Sequence, residues 1–193
     1  MLIALMSFTS SDPKLSEDDR QMMLLELKMS YDHMIIETRN LTPAQLNFKA
    51  DENSWSIAEC LEHIVVTEDG FVGLIKGMET AIAEAPVTDE TELTDRGVLL
   101  ALGDRSSKVK TGKPFEPSGQ FGSFEETLAA FKEKRKSTMS IVESVDFNLR
   151  LGRQQLPFGN VDGVQLVLAI AGHTDRHIRQ IEEIKINPNF PKE

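Results

Sequence analysis

Apolar residues in this chain recur three and four positions apart through four long stretches, and they rarely alternate as a half-buried strand requires. The first stretch runs from about Ser16 to about Asn40, with Met23, Leu27, Tyr31, Met34 and Leu41 on one stripe. Ser16 and Asp19 have the spacing of a capping box, and Leu41-Thr42-Pro43 marks the end, because a residue before proline avoids the helical region. The second opens on the capping box Ser56-Ile57-Ala58-Glu59, with Trp55 and Cys60 at the hydrophobic-staple positions, and continues through Leu61, Ile64, Val65, Phe71 and Leu74 to about Ala85. Gly70 and Gly73 weaken it locally or mark close approach of another backbone. The third opens at Ser123, with Glu126 at capping-box spacing and Leu128, Phe131, Met139 and Val142 facing inward. The fourth runs from about Val161 to about Ile186 and stops at Asn187-Pro188.

Between the second and third stretches, from Pro86 to Gly122, the pattern breaks. Thr91 to Leu102 fits a short extra helix, and Gly103 to Gly122 reads as loop. A connection this long is a crossover or carries function. The chain is therefore expected to be all-α: a four-helix bundle with a long crossover between helices 2 and 3, which lets those two run parallel. The bundle domain is expected over residues 16–186, with tails at 1–15 and 187–193, and Asp146 to Gly159 as a turn region.

The formal charge of −10 favours repulsion from phosphate backbones, and no basic run offsets it. Nucleic acid is not an expected partner. Cys60 is the single cysteine, so a disulfide framework within the chain and cysteine-based zinc modules are excluded. That agrees with a reducing, cytoplasmic compartment. No apolar run approaches the ~20 residues of a membrane span. The apolar start Met1–Met6 has no basic residue before it and is a poor signal peptide, though it leaves room for the remnant of a longer leader.

The chemistry-bearing residues are the histidines. The chain has 4 of them, and His173 and His177 stand four apart on the fourth helix, within the stripe of Leu166, Ile170, Gln180 and Ile184. Imidazoles on a core-facing stripe need partners, since an unsatisfied buried polar group costs a few kcal/mol. One metal ion would satisfy both, and His63 on the second helix would complete a three-nitrogen site with an open position, as in catalytic rather than sealed structural sites. An ordinary pair, one histidine buried and hydrogen-bonded and one near the surface, accounts for the spacing as well.

Gln180 lies one turn on and could orient a ligand or a bound water. Arg176 could reach the pocket rim and hold an anionic group, or pair with a surface carboxylate. Asp175 points away from the histidine pair, and Thr174 stands where an HExxH metalloprotease carries its glutamate. Glu59 is explained by its cap, His33 reads as surface, and Cys60 reads as a buried filler with a lesser reading as a soft fourth ligand.

Trp55-Ser56-Ile57-Ala58-Glu59-Cys60-Leu61-Glu62-His63-Ile64 resembles the WSxxExLxHL signature of the DinB/YfiT-like superfamily. Ala171-Gly172-His173-Thr174-Asp175-Arg176-His177-Ile178-Arg179-Gln180-Ile181 resembles its second signature, a helical HxxRHxxQI, and Leu41-Thr42-Pro43-Ala44-Gln45-Leu46 resembles the segment joining its first two helices. The resemblance implies the crossover bundle and one divalent ion on His63, His173 and His177, zinc or nickel first, with manganese or iron as further candidates. It implies a small-molecule substrate. Some members are S-transferases or an isomerase using a low-molecular-weight thiol such as bacillithiol or mycothiol, others are described as metal-dependent hydrolases, and homodimers are common. Three functional readings stay open: a metal-dependent transferase or hydrolase, a non-catalytic metal- or ligand-binding module, and an interaction protein whose metal site has decayed.

Overall fold

The computed structural model describes residues 14–85, 87, 90–106 and 109–192; the apolar start Met1–Met6 and Pro86 lie outside the described residues. Four long helices, α1 (Glu17–Thr38), α3 (Ile57–Glu84), α5 (Phe124–Ser144) and α6 (Gly163–Lys185), form the bundle, with α2 (Pro43–Leu46) and α4 (Asp95–Gly103) between them. Among the described residues, no helix is long and apolar enough to cross a membrane.

Local chemistry fixes the helix starts. Ser56 with Glu59, and Ser123 with Glu126, form reciprocal capping boxes as their spacing suggests, and Asp162 with Gln165 does the same for α6. At α1 the box is incomplete: Ser16 Oγ accepts from the Asp19 N–H at 3.1 Å, but the Asp19 carboxylate takes the Ser16 hydroxyl rather than the Ser16 N–H. Aspartate is one methylene shorter than the glutamate that closes the boxes at Ser56 and Ser123. After α1, Asn40 adopts φ 57°, a left-handed conformation that asparagine tolerates, and the chain turns into α2 under a Thr42–Gln45 box.

α1 and α3 each pack on both α5 and α6, so they face one another across the diagonal. Lys185 near the end of α6 donates to Glu37 near the end of α1, so these helices run the same way. Glu68 and Arg135 pair midway along α3 and α5, and the N-terminal ends of both helices line one groove, so these two also run parallel. The crossover through α4 makes that direction possible. α4 lies tightly on α6: a Cβ added at Gly172 would stand 3.2 Å from the Leu99 carbonyl and 3.2 Å from Leu102 Cβ.

The segment expected as a turn before α6 holds a small antiparallel hairpin, β1 (Gln154–Leu156) and β2 (Gly159–Val161), with Gln155 opposite Asn160. Three-residue strands are too short for their alternation to register in the sequence. Gly70 and Gly73 do not mark a backbone approach: a Cβ at Gly70 would meet the ring of Phe115 at 3.4 Å, and one at Gly73 would meet nothing within 4 Å.

The core has two apolar layers. One includes Met23, Leu27, Val72, Ile75, Val142 and Leu166 to Ile170; the other includes Met34, Leu61, Val65, Phe131, Ile178 and Ile181. Between them every long helix contributes a buried polar residue: Ser30 on α1, Glu68 on α3, Arg135 and Thr138 on α5, and Thr174 on α6. The histidines stand beside this polar waist.

Candidate metal centre

His63 lies two turns into α3, and His173 and His177 lie one turn apart on the face of α6 that packs on α3. The structure brings all three together. His63 Nε2 and His177 Nε2 each lie 3.2 Å from His173 Nε2, and the three ligand atoms are within 4.8 Å of one another.

The outer nitrogens define the chemistry of the inner ones. His63 Nδ1 is 2.7 Å from the Phe115 carbonyl oxygen, which only accepts, so Nδ1 carries the proton. His177 Nδ1 is 2.9 Å from Gln180 Oε1, which also accepts from Arg105 Nη1 at 3.2 Å. His173 Nδ1 is 3.3 Å from Thr67 Oγ1, whose own proton goes to the His63 carbonyl at 2.8 Å, so the hydroxyl oxygen is free to accept from the ring. Each neutral ring therefore directs an unprotonated Nε2 at the others. Three converging lone pairs with no proton between them repel unless a cation sits among them. The 3.2 Å separations are close to the ~3.4 Å between nitrogens that bind one tetrahedral ion at ~2.1 Å. The donor set thus fits a divalent ion.

Burial keeps these rings neutral. His63 and His177 are 3% and 5% exposed, and His173 is partly buried. The His173 pKa is pushed down to about 3, first by desolvation and then by the charges of His63 and Arg176. Desolvation also depresses His177 well below the usual histidine value and lowers His63, against the opposing hydrogen bond to Phe115. Trp55 lies over the cluster, its ring 4.7 Å from that of His63 and 5.9 Å from that of His177, and Phe71 stands 6.3 Å from His173.

The model of the DinB superfamily matches residues 26–181. The chain belongs to the DinB superfamily. YuaE, an uncharacterized protein of Bacillus subtilis (strain 168), is 26% identical over 152 residues, covering 77% of this chain and 88% of its own length. YfiT from Bacillus subtilis, described as a probable metal-dependent hydrolase with an unusual four-helix bundle topology, is 11% identical and superposes with a TM-score of 0.57 over 89% of this chain and 88% of that one. That likeness shows the shared fold of this DinB bundle.

Gln180 contacts His177 directly. Arg176 Nη1 donates to the Asp104 carbonyl on the loop after α4, and its charge reaches His173. Glu59 closes its cap and pairs with Lys49 at 2.6 Å. Asp175 stands outside the cluster, among His33, Arg179, Arg135 and Glu182. Cys60 is fully buried in the apolar layer and does not join the histidines; burial raises its thiol pKa. His33 is exposed, 3.7 Å from Glu182 and 3.9 Å from Glu37. A groove of about 660 Å³ between the N-terminal ends of α3 and α5 is lined by Lys49, Glu59, Glu62 and Phe124, and by none of the three histidines.

Three participants escape a reading of the sequence: the Phe115 carbonyl, Arg105 and Glu62. The Phe115 carbonyl is a backbone atom and leaves no residue signature. Arg105 and Glu62 sit in contexts that read as solvated charge. Trp55 was legible as a staple but also walls the centre. Thr67 stands one turn after His63 on the same helix.

Proposed function

We propose that this DinB protein is a metal-dependent enzyme acting on a small molecule, with one divalent ion, zinc or nickel, held by Nε2 of His63, His173 and His177. The observation that carries the reading is the convergence of three Nε2 atoms, each on a ring whose Nδ1 faces an oxygen able to accept its proton. A divalent ion at such a site supplies Lewis acidity that makes a water or a thiol nucleophilic near neutral pH. The chain's own part is to fix the three rings through Phe115, Thr67 and Gln180, and to shield them from water with Trp55 and Phe71. Transfer through a low-molecular-weight thiol is the reaction favoured by the two histidine signatures, and hydrolysis is the reaction suggested by the description of YfiT.

A second reading, a metal- or ligand-binding module without turnover, draws on one observation: among the described residues, no carboxylate or thiol joins the three histidines as a neighbouring acid or base.

Elemental analysis of tag-free protein beside His177→Ala tests occupancy, with about one zinc or nickel per chain expected in the first and little in the second. Chelator-stripped protein reloaded with each metal is then assayed for conjugation of a thiol to a generic electrophile and for hydrolysis of an activated ester. Metal-dependent turnover supports the enzyme. Tight metal binding with no product in either assay supports the binding module. A chain that takes up no metal overturns both readings.

A further inference from the structure

We propose that the crossover between α3 and α5 sets the protonation pattern of the centre, with Arg105 and the strap pinned by Glu62 acting as positioning residues for His177 and His63. The inference rests on the metal reading above and goes beyond the three ligands to what holds them.

Gln180 links the crossover to His177. A side-chain amide presents either an acceptor oxygen or a donor NH2 group to its neighbour, according to which way it is turned. If Gln180 turned its NH2 group toward His177 Nδ1, that nitrogen would have to accept, the ring proton would move to Nε2, and the lone pair facing the other histidines would be lost. Arg105 prevents this. Its guanidinium has donors only, and Nη1 lies 3.2 Å from the same Gln180 oxygen that accepts from His177. The guanidinium is itself fixed by Glu183, with Nε to Oε1 at 2.9 Å and Nη2 to Oε2 at 2.7 Å. Arg105 therefore selects the amide orientation, the amide selects the Nδ1–H tautomer, and the tautomer leaves Nε2 open.

His63 is held from the crossover as well. Its Nδ1 partner, the Phe115 carbonyl, ends a short 3-10 turn over Lys113–Phe115. The loop that follows this turn is anchored on α3. It is held by Glu62, the residue before His63, whose buried carboxylate accepts from the N–H groups of Ser118 at 3.0 Å, Gly119 at 3.0 Å and Gln120 at 3.1 Å. Successive N–H groups can converge on one anion only if the backbone curls into a nest, and Gly119 supplies the left-handed step with φ 75°. The Phe115 ring rests against α3 at Gly70. One strap thus touches α3 at Gly70, His63 and Glu62.

Partners of this kind change metal affinity about 10- to 100-fold when removed. Because linkage is reciprocal, a cation at the histidines must also tighten the strap. The experiment is a titration of tag-free, full-length protein with cobalt(II) chloride against a competing chelator, on wild type, Arg105→Met, Arg105→Lys and Glu62→Gln, alongside circular dichroism to confirm folding. Long-range nitrogen–proton NMR of the metal-free protein reads the His177 tautomer directly. Expected are a loss of cobalt affinity of about 10-fold or more in Arg105→Met and in Glu62→Gln, recovery of most of it in Arg105→Lys, and a mixed His177 tautomer in Arg105→Met where wild type carries Nδ1–H. Wild-type uptake with unchanged affinity and unchanged tautomer in Arg105→Met overturns this inference alone. A folded wild type that takes up no cobalt overturns the metal reading and this inference with it.

Discussion

Arg135 on α5 and Glu68 on α3 meet at the centre of the bundle with Nη2 to Oε2 at 3.0 Å, each side chain 1% exposed. All of the guanidinium is used: it also donates to the Leu27 carbonyl, Ser30 Oγ and Thr174 Oγ1, while Thr138 donates to Glu68. One pair therefore ties four helices together. Because Thr174 follows His173 directly, the pair also helps fix the rotation of α6 that aims its histidines at α3.

Arg135→Met leaves the Glu68 charge buried and unpaired, which costs roughly 3–5 kcal/mol. Replacing both partners by methionine removes the orphan charge and should recover much of that loss, since apolar replacements of buried pairs are often near neutral. Urea unfolding of the two variants checks this. Equal losses in both would mean that the orphan charge is not the cause.

This pair also shows where a sequence stops being readable. The capping boxes at Ser56 and Ser123 and the four-apart histidines of α6 are local patterns, and each reappears in the structure. Arg135 stands among Lys132, Glu133, Lys134 and Lys136, and reads as part of a solvated run. Its burial depends on Glu68, a helix away. The hold of Phe115 on His63 depends on a backbone oxygen brought in by the crossover. Convergence of helices on a shared polar group has no period in the chain, so the clustering histidines were legible and most of their supports were not.

Zinc should stabilise the wild-type fold by mass action, about 2.7 kcal/mol at a free concentration one hundred times Kd, because the converged nitrogens exist only in the folded state. Thermal unfolding of chelator-treated protein, with and without added zinc, reads the effect. His173→Ala removes the ring shared by both 3.2 Å contacts and should abolish the shift. A shift that survives in this variant would place the stabilising ion elsewhere.

Strap attachment should weaken in acid. Burial alone would raise the Glu62 carboxyl, but the N–H groups of Ser118, Gly119 and Gln120 outweigh it and hold the pKa below the usual carboxylate value. A depressed pKa means that the attachment is intact above ~4.5, the ordinary value for a detached glutamate, and is lost as pH falls through the lower value of the attached form. Hydrogen exchange at those three amides in chelator-treated protein, corrected for intrinsic rates, should show protection falling below about pH 4.5. In Glu62→Gln it should be low and flat with pH.

Cys60 should be inert in the native protein. It is 0% exposed, and desolvation raises its pKa, so neither access nor thiolate is available. Ellman's reagent should label less than a tenth of the native chains in an hour, and one thiol per chain in denaturant. Fast native labelling would mean that the α3 apolar layer opens readily.

Two helical glycines should respond in opposite directions to alanine. Gly73 on α3 is exposed, and a Cβ there meets nothing within 4 Å, so Gly73→Ala should stabilise by up to ~1 kcal/mol through helix propensity. Gly172 on α6 gains the same propensity, but its Cβ would stand 3.2 Å from the Leu99 carbonyl and 3.3 Å from Leu99 Cα, atoms of the α4 backbone that cannot swing aside. Overpacking of this kind costs about 1–3 kcal/mol, so the net effect should be a loss of about 1 kcal/mol. The functional consequence should be larger than the change in stability. α4 leads directly to Arg105, so lifting it by a few tenths of an ångström loosens the Arg105–Gln180 contact that holds His177. Urea unfolding together with cobalt titration of Gly172→Ala should therefore show a modest fall in stability and a several-fold fall in metal affinity. Wild-type affinity in a destabilised Gly172→Ala would show that the position of α4 does not reach the histidines.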